Sequence, residues 1–314
     1  MTQRASACGK VILLGEHAVV YGTPAIAAGI ERGAWAEVSL ADVGPSTLEI
    51  GDRRAVADAQ SEDDLARAFS ALVGSDRAFS VRAHSELPPG GGLGSSAALA
   101  VSIARAIEMY TSAAPHEREL RAAERALAWE RVFHGNPSGI DMYAAANGGT
   151  FEFVRGRGGQ PIEAGAELWL CIGLSGSGAS TKTMVESVAR QFQRRPELQA
   201  RTLDGIGALV RNASLAIQVG DLVGLGRLMD LNQMMLAGLL LSTQPIEQLC
   251  TLARGAGALG AKLTGSGGGG SVIALVPAPG GSEDEGSDVA KAVLRAWKLA
   301  GFEGFVTRVG ATGR

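Results

Sequence analysis

The stretch PPGGGLGSSAALA (88–100) sets a run of glycines ahead of a helical pattern that opens on two serines, Ser95 and Ser96. Glycines let backbone N–H groups crowd round an anion, and a helix N-terminus adds unpaired donors and a favourable dipole. Such a loop suits the phosphates of a nucleoside triphosphate. The Ser96 hydroxyl, in the first helical turn, could reach a magnesium ion carried on them. A strand-to-helix turn capped by serine would leave the same trace. Other phosphate motifs fail. Walker A requires GxxxxGK[ST], and Lys182–Thr183 follows Thr181, not the required glycine. GSGGGG (265–270) matches GxGxxG literally, but it runs into the strand pattern SVIALV where a dinucleotide site needs a helix. No GxSxG elbow occurs, and His17, His84, His116 and His134 show no zinc-ligand spacing. Two charges stand in telling places. Lys10 heads the apolar run KVILLG, where an unpaired ammonium is costly, and Asp141 closes SGID, a capping box with Ser138 as its cap. Glu130 lies in a charge-rich helix, where a solvated face is the ordinary reading.

The elements that must hold these residues follow from periodicity. Strands are expected at 10–15, 23–40 (one or two), 79–85, 150–154, 167–174, 261–264, 271–276 and 304–309. Helices are expected at 61–73, 95–110 (apolar nearly all round, hence internal), 116–132, 138–146, 181–240 with breaks near Pro196 and Gly220, 245–256 and 289–300. A turn is expected at Gly135, Asn136 and Pro137, a linker at 155–161, a Gly/Ser loop at 175–180, and a mobile acidic connection at 277–288. Strands and helices mix in both halves of the 314 residues, so two α+β domains are expected, 1–160 and 161–314. With 46% hydrophobic and 19% charged residues the chain can bury a large core, which excludes disorder. A net charge of −3 recruits neither nucleic acid nor anionic membrane. No membrane-length apolar run or signal-peptide core is seen, and Cys8, Cys171 and Cys250 are too scattered for a disulfide framework. A cytoplasmic protein is the expectation; the sequence leaves open whether it is a monomer or a homodimer.

Three loops taken together are far more specific than any one. KVILLGEHAVVYG (10–22), ELPPGGGLGSSAALA (86–100) and KLTGSGGGGSV (262–272) resemble, in that order, the three motifs of the GHMP small-molecule kinases. WERVFHGNPSGIDMYAAANGG (129–149) and DLNQMML (230–236) resemble the mevalonate kinase branch, and the similarity spans nearly the whole chain. Met142 departs from it, standing where an asparagine is common.

The resemblance implies an N-terminal domain like the second domain of ribosomal protein S5, a ferredoxin-like C-terminal domain, and an active site between them. It implies transfer of the ATP γ-phosphoryl to the 5-hydroxyl of mevalonate with Mg2+. By the same resemblance Asp141 is the catalytic base and Lys10 its partner. Pro89, Gly90, Gly91, Gly92, Leu93, Gly94, Ser95 and Ser96 hold the nucleotide phosphates, and Ser96 and Glu130 hold the metal. Glu16, His17 and Thr181 bind the acceptor, and 265–270 packs on the nucleotide loop. Phosphomevalonate kinase, mevalonate 3-kinase and a non-catalytic metabolite sensor on the same fold stand as alternatives.

Overall fold

A computed structural model describes residues 1–310 apart from Asp76, Ser112, Gly135, Asn136, Ser177 and 280–286. Gly135 and Asn136 of the expected turn, Ser177 of the Gly/Ser loop and 280–286 of the acidic connection therefore lie outside the described residues.

The first sheet is built on one long strand. β1 (Gln3–Leu14) runs antiparallel to β2 (Ala25–Leu40), with register shifts at Cys8/Gly9 and Ile12/Leu14. On its other edge β2 pairs first with β6 (Thr150–Val154) and then with β5 (Phe79–Ser85). β3 (Thr47–Ile50), β4 (Arg53–Val56) and β7 (Gly158–Pro161) complete the order β4-β3-β5-β2-β6-β7. Its helices are α1 (Asp64–Val73), α2 (Ser95–Glu108), α3 (Pro115–His134) and α4 (Ile140–Asn147). As its composition implies, α2 is internal: Ala97, Ala98, Ala100, Ile103, Ala104 and Ala106 are almost wholly buried.

The second sheet is antiparallel, ordered β11-β8-β10-β9, from β8 (Trp169–Leu174), β9 (Gly260–Thr264), β10 (Ser271–Val276) and β11 (Glu303–Arg308). Around it lie α5 (Thr181–Arg194), α6 (Pro196–Val219), α7 (Leu222–Gly238), α8 (Gln244–Gly255) and α9 (Asp288–Leu299). The expected breaks near Pro196 and Gly220 separate α5, α6 and α7. One apolar core joins both sheets: Ile26, Leu48 and Phe69 belong to the same cluster as Ile172, Ile206, Val210, Ile273 and Phe305. The fold is α+β, with the expected strands and helices in the predicted order and three short strands, β3, β4 and β7, added to them.

Three expectations need correction. β1 begins at Gln3, because its polar start (QRASAC) is held by pairing with the second half of β2 rather than by an apolar run of its own. The hairpin of β3 and β4 has no alternating apolar signal, and its partners make it a sheet. The stretch 155–161 is no linker. It turns through Arg157, whose N–H bonds Val154 O at 2.9 Å, and returns as β7 along β6. Gly159 leaves room there for the Tyr143 ring, whose hydroxyl donates to Gly159 O at 3.0 Å.

Candidate active site

Lys10 and Ile12 share a face of β1. Ile12 packs with Ile140 and Ala144 of α4, and this contact brings the start of α4 to Lys10. Lys10 Nζ lies 3.0 Å from Asp141 Oδ1, with the lysine side chain 4% exposed and the aspartate 40%. Oδ1 itself is shielded from solvent, and its contact is an ion pair off hydrogen-bond geometry. The capping box does not form. Gly139, at φ 88°, is the N-cap of α4, and the Ser138 hydroxyl reaches only the Ile140 N–H, at 3.4 Å. Asp141 is thereby left to pair across the fold.

The glycine loop sits directly behind Lys10, whose N–H donates to Leu93 O at 2.8 Å. Gly94 caps α2 at φ 78°, and a Cβ there would stand 2.9 Å from Lys10 Cγ. Motif three packs on this loop as the resemblance implies: a Cβ on Gly265 would meet Gly92 Cα at 3.3 Å, and one on Gly270 would meet Gly91 O at 3.4 Å. Ser95 shares a hydrogen bond with Ser85, hydroxyl to hydroxyl, at 2.8 Å. Ser96 Oγ donates to Glu130 Oε1 at 2.5 Å and accepts from Trp129 Nε1 at 3.1 Å. Burial pushes the Glu130 carboxyl above its usual range, against the lowering effect of the Ser96 hydrogen bond. His134 Nε2 stands 3.6 Å from the other Glu130 oxygen.

A hydroxyl beside a shielded carboxylate is a hard-oxygen donor pair of the kind magnesium accepts, with phosphate and water filling the remaining positions. The residues therefore fit the metal that the resemblance implies. Among the described residues no cluster of three or more His, Cys, Asp or Glu could hold a metal by itself.

Glu130, Asp141 and Thr181 line a cavity of about 240 Å³, together with Val20, Met142, Arg155, Lys182 and Glu186. Arg155 is anchored by donating to Val20 O at 3.2 Å. Glu16 and His17 lie beneath this wall and do not line it. Glu16 is fully buried and ion-paired with Lys262, and burial pushes the carboxyl up and the ammonium down, each opposed by the partner's charge. His17, at φ 62°, holds Ser266 O through Nε2 at 2.8 Å, and burial lowers its pKa. Thr181 Oγ1 reaches the Ser266 hydroxyl at 3.4 Å. Ser266 thus ties His17 to Thr181.

Sequence reasoning missed Lys262 and Arg155. The signal for Lys262 was the one used for Lys10, a lysine inside an apolar strand. Arg155 carried none, since the stretch around it reads as a linker.

The first part of the chain, 62–149, matches the family model for the GHMP kinases N terminal domain, and 208–301 matches that for the GHMP kinases C terminal region. The chain belongs to the GHMP kinases, a family of ATP-dependent kinases. Within that family it is similar over almost its whole length to mevalonate kinases. It is 36% identical to the one from Pyrococcus horikoshii, covering 98% of this chain and 96% of that one. To the one from Methanothermobacter thermautotrophicus it is 35% identical, over 95% and 96%. The crystal structure of L. major mevalonate kinase in complex with R-mevalonate superposes with a TM-score of 0.80 at 29% identity, over 99% of this chain and 96% of that one.

Proposed function

We propose that this enzyme is a mevalonate kinase, moving the γ-phosphoryl of ATP to the 5-hydroxyl of (R)-mevalonate and giving 5-phosphomevalonate and ADP. The observation that carries the reading is the shielded Lys10–Asp141 pair, with Asp141 on the wall of a small cavity rimmed by Arg155 and Lys182. The curated relatives over nearly the full length support the choice of acceptor.

Residues 1–160 supply the chemistry, and 161–314 supply the opposite wall through Thr181, Lys182 and Glu186. The amides of the loop Pro89–Gly94, with Ser95 and the N-terminus of α2, cradle the triphosphate. Ser96 and Glu130 would hold magnesium. When bound there, magnesium would supply positive charge against the negative charge developing on the phosphates. Asp141 orients the 5-hydroxyl and accepts its proton as the oxygen bonds to phosphorus. Lys10 pairs with the carboxylate at 3.0 Å and faces the charge developing on the transferred group. The proton then leaves through the open side of Asp141.

The acceptor carboxylate meets Arg155 and Lys182, while Ser266 holds His17 and Thr181 in line behind it. Among the cavity residues these two cations face three carboxylates, Glu130, Asp141 and Glu186, a balance that suits a monoanionic acceptor over a phosphorylated one. The three thiols lie outside any disulfide, as suits a cytoplasmic enzyme.

The test is ADP release with mevalonate, 5-phosphomevalonate, galactose and homoserine as acceptors. Mevalonate should lead by about a hundredfold or more in kcat/KM, since a site built to pair a substrate's polar groups rejects those that leave it unpaired. Preference for 5-phosphomevalonate would overturn the assignment.

A further inference from the structure

The two sheets are stitched together beneath the active site. Ile12 N–H donates to Thr264 Oγ1 at 2.8 Å, and the same hydroxyl donates back to Ile12 O at 3.2 Å. His17 reaches Ser266 O a few residues along. Between these contacts, Lys262 Nζ meets Glu16 Oε1 and is held in place by Leu263 O at 2.6 Å. Neither side chain of this pair has any exposed surface, and neither lines the cavity. Glu16 Oε2 has no hydrogen-bond partner among the described residues.

The neighbourhood makes this more than a structural clasp. Lys10 is close enough for its charge to act on both members of the pair, stabilising the Glu16 carboxylate and disfavouring the Lys262 ammonium. Charges therefore alternate from the interior to the cavity wall: Lys262, Glu16, Lys10, Asp141. In a medium of low dielectric an uncompensated carboxylate draws the nearest ammonium strongly, and a lysine on its flexible stem can follow. Without Lys262, the charge left on Glu16 would act on Lys10, the lysine that phosphoryl transfer requires.

We propose that Lys262 is a positioning residue for phosphoryl transfer: by neutralising Glu16 in the interior, it leaves Lys10 committed to Asp141 and to the transferring phosphate. The inference rests on the kinase reading above. Lys262 touches neither substrate, so its effect passes through Glu16 and belongs in the chemical step rather than in binding.

The experiment compares wild type, Lys262→Met and the double variant Glu16→Gln/Lys262→Met by ADP release, with kcat counted per folded molecule from circular dichroism and urea titration. Lys262→Met should lose about 10- to 100-fold in kcat, the scale of a misplaced catalytic group, while KM for ATP stays within about threefold. The double variant, with no charge left alone in the interior, should recover at least about tenfold of that kcat even if KM for mevalonate rises. A kcat for Lys262→Met within threefold of wild type, or a double variant no faster than the single one, overturns the proposal.

A purely structural clasp would lower the melting temperature and leave kcat of the folded fraction alone. Should Lys262→Met not fold, the double variant carries the test: kcat within about tenfold of wild type is expected, and a loss of a hundredfold or more overturns the relay. Wild type run in parallel reads the acceptor assignment separately. No turnover of mevalonate there counts against the assignment, whereas a wild-type-like Lys262→Met counts against the relay.

Discussion

In the proposed mechanism Asp141 acts through its charge. Asparagine keeps its size, but it can neither take a proton nor balance the Lys10 ammonium 3.0 Å away. Removing a positioned base costs on the order of 10²–10⁴ in rate, so Asp141→Asn should lose at least two decades of kcat while binding Mg·ATP within a few-fold of wild type. The amide still offers Lys10 an acceptor, and the fold should lose only about 1–2 kcal/mol. Turnover within threefold of wild type would remove Asp141 from the chemistry. His17 makes a different prediction. Its folded pKa lies below the ordinary 6.5 because it is buried, so the unfolded chain takes up the proton first as pH falls. Its contribution is complete above about pH 6.5 and is lost as the pH drops below that value. The urea midpoint of wild type should therefore fall between pH 7.5 and 5.5 by more than that of His17→Gln, by an amount worth about 1 kcal/mol. Equal slopes would mean that another group sets the acid limb.

At the scale of elements, the junction between the glycine loop and α2 is the sensitive one. Gly94 sits at φ 78° with Lys10 Cγ, close to the base of that side chain, in the space a Cβ would take. Gly94→Ala should cost about 1–2 kcal/mol from the left-handed backbone alone. By shifting Lys10 it should also lower kcat by roughly 10- to 100-fold. A variant that melts lower but turns over normally would show that the loop does not position Lys10. Most elements were legible from periodicity. Phe79–Ser85 alternates, and α5, α6 and α7 are separated by Pro196 and Gly220, as their pattern requires. The strands that escaped notice, β3, β4 and β7, are short, polar or glycine-rich. They exist because a neighbouring strand offers hydrogen bonds, a cause that local sequence does not carry.

For the molecule as a whole, both sheets share one core, and all three cysteines are buried, Cys171 and Cys250 in a second apolar cluster on the C-terminal sheet. Cys171 and Cys250 have no exposed surface, and burial pushes their thiols up to about 12, while Cys8 is raised as well. Thiolate is the reactive form, so the folded enzyme at pH 8 should resist a small thiol reagent, and all three cysteines should react in concentrated guanidinium. Rapid labelling of Cys171 or Cys250 in folded protein would mean that the core opens readily.

The sequence by itself determined the glycine run ahead of α2, the family and the α+β class, because glycine runs and periodic apolar residues leave local traces, and its resemblance to the family singled out Lys10, Asp141, Ser96 and Glu130. It left Asp141 readable as a helix cap, and it gave no partner to Lys262. Those matters were settled by long-range pairing. The Gly139 cap released Asp141, Ile12 against Ile140 brought it to Lys10, and β9 carried Lys262 across more than two hundred residues of chain to Glu16. A buried charge is visible in a sequence as a cost, but the group that offsets the cost is chosen only when the chain folds.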